Sequence, residues 1–278
     1  MRGNSCTINV EGLRLHYLRH GQGRPILLLH GWPTHSFIWR KLMPALSDLG
    51  TVYAPDLPGF GASDKPLDGE YTLTWFSRFV EGFIDTLRLD GITLIGHDIG
   101  APAGLLWAIR STSKVRSVVI MNSPIFPWRT RLDRLSQLLL RTPVVGRLLV
   151  GRTGLSLLLR ANVVNKSAMS PDVIDGYQAP FPHFHERRLL QRTILTPLDI
   201  GRRQELVPLA DQVACLPVPV GIIYGAADHL CGRHMEELAK RIPHATVVRL
   251  ADCGHFVQED CPQGLRAALT EFLRCLPG

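Results

Sequence analysis

Short apolar runs alternate along the chain with stretches whose apolar residues recur every three or four positions. The opening differs: Ile8, Val10, Leu13, Leu15 and Tyr17 fall among polar neighbours, the alternation of two paired strands. Pro25–Leu29 is a continuous apolar run and is followed by a helical pattern over 36–48. A second run, 51–54, leads through a Gly/Pro loop to a helical pattern over 72–88. A third, 92–95, leads to 99–110, and Val115–Met121 follows. The rhythm returns after residue 206, with strands at 218–224 and Thr246–Leu250 and helices at 231–241 and 263–275. Continuous apolar strands separated by helices predict an α/β fold with a mostly parallel central sheet flanked by helices on both faces.

The rhythm breaks between residues 124 and 206. Leucine- and arginine-rich helical patterns (132–141, 144–161) are followed there by the Pro- and aromatic-rich run Tyr177-Gln-Ala-Pro-Phe-Pro-His-Phe-His185. This segment reads as an inserted helical cap, or lid, with residues 1–123 and 207–278 forming the core. Charge marks the same boundary. The segment carries 13 of the 31 basic residues and only 6 of the 24 acidic ones, so its surplus equals the whole formal charge of +7. A binder of nucleic acid would spread its positive charge differently, and that class of partner is set aside. The arginines are expected on solvated helix faces. A lesser expectation is that they steer an anionic substrate, or dock the lid on an acidic carrier or membrane surface. No run approaches the roughly 20 apolar residues of a membrane span, and the first residues lack a signal-peptide core. The six cysteines form no CxxC pair, and no His/Cys cluster has zinc spacing. Reduced thiols in a cytoplasmic protein, with no metal, are the expectation.

In parallel sheets, chemistry collects at the carboxyl ends of the strands. Gly96-His97-Asp98-Ile99-Gly100 joins a strand to a helix, and small residues flank Asp98 on both sides. That spacing suits a sharp turn holding one side chain exposed at a helix N-terminus. An aspartate there attacks carbon through its carboxylate and forms an alkyl ester. His30-Gly31-Trp32-Pro33 ends the 26–29 strand, and the backbone N–H groups of Trp32 and Ile99 are the expected oxyanion donors. Gly225-Ala226-Ala227-Asp228 and Cys253-Gly254-His255-Phe256 end two later strands. The order Asp98, Asp228, His255 is that of nucleophile, acid and histidine, with His255 activating water and Asp228 orienting it. His30 and His97 are read as packing residues, and Ser63 as a turn residue. No serine occupies the elbow, which disfavours a serine esterase.

These residues give the chain a family likeness. It resembles the α/β-hydrolases of the haloalkane dehalogenase and epoxide hydrolase group in His30-Gly-Trp-Pro-Thr-His-Ser-Phe-Ile-Trp-Arg40, Asp56-Leu-Pro-Gly-Phe-Gly-Ala-Ser-Asp-Lys-Pro66, Gly96-His-Asp-Ile-Gly100 and Gly254-His-Phe-Val-Gln-Glu259. Tyr177-Gln-Ala-Pro-Phe181 is similar to a dehalogenase cap segment. The resemblance implies an ester cycle without metal or organic cofactor, acting on a small apolar substrate. Epoxide opening to a diol is the leading expectation, because the His-Gly-X-Pro sequence fits it. Tyr177 is then the cap donor to the epoxide oxygen, with His183 or His185 as a possible partner. Halide release is the alternative. The indole that the dehalogenases place beside the nucleophile is replaced by Ile99, leaving Trp32, Trp39 or Trp128 to supply an N–H. Asn122, at the end of Val115–Met121, cannot be the triad acid and is expected to line the pocket. A biosynthetic enzyme or a non-catalytic binder on the same scaffold is a further alternative. Oligomeric state is not legible.

Overall fold

The structure, a computed structural model, describes residues 4–126, 141–196 and 206–277. Eight strands form one sheet: β1 (Asn4–Val10), β2 (Leu13–His20), β3 (Pro25–Leu29), β4 (Thr51–Pro55), β5 (Ile92–His97), β6 (Val115–Met121), β7 (Val220–Gly225) and β8 (Thr246–Leu250). Their order is β1-β2-β4-β3-β5-β6-β7-β8. β1 and β2 are the antiparallel opening that the alternation predicts. Their hairpin turns at Glu11 and Gly12, both left-handed (φ 49° and 81°), the backbone a tight primed turn requires. From β4 to β8 all neighbours run parallel. The inner strands are buried on both faces, which is why β3, β5 and β7 read as unbroken apolar runs.

Among the described helices, α1 (Met43–Leu46), α2 (Leu73–Thr86), α3 (Gly100–Arg110), α8 (Leu209–Ala214), α9 (Gly232–Arg241), α10 (Val257–Asp260) and α11 (Pro262–Arg274) belong to the sheet layers. The stretch between β6 and β7 contributes α4 (Pro143–Val150), α5 (Arg152–Ala161), α6 (Pro171–Gln178) and α7 (Phe184–Leu195), with no strand among its described residues. The expected helix over 36–48 is two short pieces, a 3-10 turn at Ser36–Trp39 and α1, which carries Pro44 in its first turn. The pattern over 144–161 is likewise two helices. Gly151 is extended (ψ 160°) and caps the second. The Pro- and aromatic-rich run holds the end of one helix and the start of another. Pro171 follows the Ser170 cap to start α6, and Pro180 and Pro182 keep α6 and α7 apart.

One chemical expectation is corrected. Cys253 and Cys261 are paired in a disulfide, their Cα atoms 6.1 Å apart. The chain turns back on itself within eight residues here, through α10, so the two thiols meet without a CxxC spacing. Cys6, Cys215, Cys231 and Cys275 are free.

The close seating of α3 on the sheet depends on Gly96. A Cβ at that position would stand 2.4 Å from the Ala101 Cα. Gly96→Ala is therefore expected to cost about 2 kcal/mol, because overpacking has to be relieved by moving backbone. Urea unfolding against the parent protein measures it; an unchanged midpoint would mean that the helix has room to shift.

Candidate active site

Strand register fixes where the loops meet. Leu29 of β3 pairs with Gly96 of β5, and His97 pairs with Met121 of β6. Met121 pairs with Ile223 of β7, and Gly225 with Leu250 of β8. The residues that follow these strand ends therefore emerge on one edge of the sheet: Trp32, Asp98, Asn122, Asp228 and His255.

Asp98 sits in left-handed backbone (φ 50°) between β5 and α3, a conformation that costs an L-residue energy and holds its side chain out of the sheet. Its N–H donates to the Met121 carbonyl (3.2 Å), and Ser123 Oγ donates to its own carbonyl (2.8 Å). Trp32 N–H donates to Asp98 Oδ1 at 2.8 Å, and the neighbouring Ile99 N–H favours the charged carboxylate as well. The approach is possible because residue 31 is glycine; a Cβ there would lie 2.3 Å from the Asp98 Cβ. The other carboxylate oxygen, Oδ2, faces His255 Nε2 at 3.7 Å. His255 Nδ1 bonds Asp228 Oδ2 at 3.0 Å.

Asp228 is fully hydrogen-bonded. Oδ1 accepts from the N–H groups of Leu230 (2.8 Å) and Cys231 (3.1 Å), and Oδ2 accepts from Asn122 Nδ2 (2.7 Å) as well as His255. Ligand-type atoms of Asp228, Cys231 and His255 lie within 4.8 Å of one another. Asp228 is already saturated by these bonds, so the group is built as a hydrogen-bonded set rather than a metal cage. Burial pushes the Asp228 carboxyl up, but His255 and these donors overcome it and hold it well below the usual aspartate range. Burial pulls His255 down, and the Asp228 and Asp98 carboxylates more than reverse that, raising it above an ordinary histidine. Burial also pushes Asp98 above its ordinary value, against the pull of His255 and its two N–H donors.

Two further histidines near the site, His30 and His97, are engaged by backbone groups. His30 Nε2 accepts from the Leu57 N–H, and burial pushes its pKa down to about 4. His97 Nε2 donates to the His255 carbonyl at 3.0 Å, and burial with the nearby His255 lowers it to about 3. His97 thus fixes the backbone of the residue beside it.

The leaving-group candidates lie elsewhere than expected. Tyr177 is fully buried, and its hydroxyl donates to Glu259 Oε1 at 2.5 Å. Glu259 is also held by Arg40 Nη2 (2.8 Å) and Lys41 Nζ (2.7 Å). The phenol is therefore engaged by a carboxylate instead of offered to a substrate oxygen. Asn122, expected in the pocket lining, is fully buried and holds Asp228. His183 is an exposed helix cap, its N–H donating to Glu186 Oε2 at 3.0 Å. The Trp32 indole N–H donates to the Leu190 carbonyl of α7 at 2.9 Å. Trp39 is fully buried, its indole nitrogen without a hydrogen-bond partner among the described residues. Trp128 and nearly all of 132–141 lie outside the described residues.

Sequence reading assigned no role to Glu259 and Asp260, which tie the inserted helices to the core. Asp260 Oδ2 accepts from the N–H groups of Gly254 (2.7 Å) and Val164 (2.9 Å), and Oδ1 from Asn165 N–H (2.9 Å). The Asn162 carbonyl accepts from His255 N–H at 2.9 Å, and His35 Nε2 bonds the Gly176 carbonyl at 3.2 Å. The partners of Glu259 are 82 and 219 positions away, so no local pattern could announce them. A cavity of about 200 Å³ lies against His255, lined by Ala161, Asn162, Val164, His229 and Gly254.

Known proteins share this fold. Residues 24–262 match the alpha/beta hydrolase fold family. The chain is 33% identical over 277 residues to a cis-3-alkyl-4-alkyloxetan-2-one decarboxylase of Shewanella oneidensis, covering 95% of this chain and 86% of that protein. It is 30% identical to haloalkane dehalogenase 2 of Mycobacterium bovis, covering 93% and 91%. Among solved structures, the haloalkane dehalogenase DatA from Agrobacterium tumefaciens C58 superposes with a TM-score of 0.88 at 27% identity, covering 99% and 98%. The epoxide hydrolase CorEH superposes with a TM-score of 0.81 at 25% identity, covering 99% of both chains. The chain thus belongs to the alpha/beta hydrolase fold family and is an enzyme of its haloalkane dehalogenase and epoxide hydrolase group.

Proposed function

We propose that Asp98 opens a small apolar electrophile, carries the alkyl group as an ester, and is freed by water that His255 activates. The observation that carries this reading is the division of labour on the Asp98 carboxylate. One oxygen is pinned by the Trp32 N–H at 2.8 Å, and the other faces His255 Nε2 at 3.7 Å. Oδ2 attacks carbon, the carbon–leaving-group bond breaks, and the leaving group departs with the bonding pair. A water then gives a proton to His255 Nε2 and adds to the carboxyl carbon of Asp98. The oxyanion so formed lies on the Trp32 and Ile99 N–H groups. Collapse expels the alcohol, which takes the proton back from His255, and Asp98 releases the other water proton to solvent to become a carboxylate again. Asp228 keeps Nδ1 protonated and stabilises the imidazolium. Residues 124–206 act as the cap over this site.

Charge makes the two half-reactions sequential. The Asp98 carboxylate raises the affinity of His255 for a proton, and alkylation removes that charge. A larger share of His255 is thereby neutral, and free to accept a proton from water, once the ester has formed.

The electrophile follows from leaving-group basicity. An epoxide leaves as an alkoxide, a strong base that needs a proton donor. Tyr177, the donor expected for it, is bonded to Glu259. The Trp32 indole is bonded to Leu190, and Ile99 has no side-chain donor. This environment favours a leaving group that carries its charge unaided. A strained four-membered lactone, opened at its alkyl carbon, releases a carboxylate that stays tethered to the ester and ends as a 3-hydroxy acid on hydrolysis; it is our first choice, being the ring class named for the decarboxylase relative. A haloalkane is the second, favoured by the dehalogenase relatives and neighbours.

Three outcomes test the proposal. With a turned-over substrate, His255→Gln should accumulate protein heavier by the attached fragment in intact mass spectrometry (the whole lactone, or the alkyl group of a haloalkane), since attack survives and hydrolysis does not. No added mass would exclude the ester. Asp98→Asn should abolish turnover and lower the His255 pKa, read by NMR titration of the imidazole. An unchanged titration would remove the electrostatic coupling. Assayed side by side, a 3,4-dialkyl oxetan-2-one and a haloalkane should turn over at least tenfold faster than an epoxide of matched size, a factor of about 1.4 kcal/mol in barrier. A faster epoxide would restore the alkoxide route and demand a donor not identified above.

A further inference from the structure

Helices α4 and α5 combine exposed apolar side chains with a complete lack of carboxylates. Val144, Leu148 and Leu157 are 68%, 69% and 64% exposed. Each helix also buries other residues against the protein, Val150 from α4 and Leu155 and Leu159 from α5, so the exposed row is additional to the packing row. Between Asp133 and Asp172 the chain has no acidic side chain, yet it carries Arg134, Arg141, Arg147, Arg152, Arg160 and Lys166. Arg147 adjoins Leu148, and Arg160 lies three positions after Leu157. Asp175, from outside the stretch, pairs with Arg152 at 2.8 Å.

Outward apolar side chains bordered by cations suit an anionic lipid surface. The apolar groups enter the headgroup–acyl boundary and the guanidinium groups meet phosphate. Nucleic acid would satisfy the cations and leave the valine and leucines in water. None of the described helices is long and apolar enough to cross a membrane, and surface docking requires none.

We propose that α4 and α5 dock the protein on an anionic bilayer. This docking does not rest on the function proposed above.

The test is co-sedimentation of the full-length protein with vesicles. One set is phosphatidylcholine alone, and the other phosphatidylcholine mixed with phosphatidylglycerol. The protein is expected to bind the mixed vesicles, to bind the neutral ones at least tenfold more weakly, and to be released by salt. Substituting Val144, Leu148 and Leu157 together with serine should weaken binding by at least tenfold. Arg147→Gln with Arg160→Gln should weaken it as well, both variants keeping the parent circular dichroism. Failure to bind the mixed vesicles, or equal binding by the triple variant, would overturn the proposal. So would binding to polyglutamate as tight as to vesicles and indifferent to the triple variant, which would reassign the face to an acidic protein. No turnover is measured, so a failure here leaves the Asp98 chemistry standing and a failure there leaves the docking standing.

Discussion

The hydrogen bond from the Trp32 N–H to Asp98 is the contact around which the site is arranged. It joins the loops that leave β3 and β5, which are neighbours in the sheet with Leu29 opposite Gly96. Two constraints make it possible. Asp98 occupies left-handed backbone, which turns its carboxylate toward the β3 loop, and Gly31 has no Cβ to block the approach. Gly100 meets the same crowding, since a Cβ there would lie 2.3 Å from the His30 carbonyl oxygen. The strain at Asp98 is tolerated because the main chain on both sides is held, by β5 before it and α3 after it.

The inserted helices attach to the same residues. The Trp32 indole reaches Leu190, His35 reaches Gly176, Tyr177 reaches Glu259, and Asn162 receives the His255 N–H. A lid that merely covered a pocket would not need to grip the loops that form it. Here the segment proposed as a cap bonds the loop that carries the oxyanion donor and the turn that carries the histidine. Its position and the geometry of the site are parts of one network, so substitutions in the inserted helices are able to act on the chemistry without touching a substrate.

Buried carboxylates pay for their desolvation through such networks. Asp56 accepts from His16 Nδ1 and from the N–H groups of Ser36 and Ala62, and these partners hold it well below the usual aspartate range against the effect of burial. Asp228 and Glu259 are treated alike. Asp98 is the exception, because burial raises it despite its donors. The carboxylate proposed to react is thus the one left least stabilised, which is what a nucleophile requires.

The sequence by itself determined the sheet and the succession of its strands and helices along the chain, and it singled out Asp98, Asp228 and His255, which the fold brings together. All of these follow from local signals: apolar runs, and small residues bracketing a polar one at a strand end. Backbone geometry between adjacent elements is encoded within a few positions, so those patterns are readable. The helices α6 and α7, the disulfide, and the partners of Tyr177, Trp32 and Asn122 were decided only by the tertiary structure. A tyrosine in the inserted segment has the same sequence signature whether it faces a substrate or a buried glutamate 82 positions away. Side-chain direction depends on which remote charges and carbonyls arrive nearby when the chain closes, and that information is spread over the whole fold. The basic surplus belongs to both sides. Its confinement to one segment is written in the sequence, whereas its company of exposed valine and leucines is a product of how α4 and α5 pack.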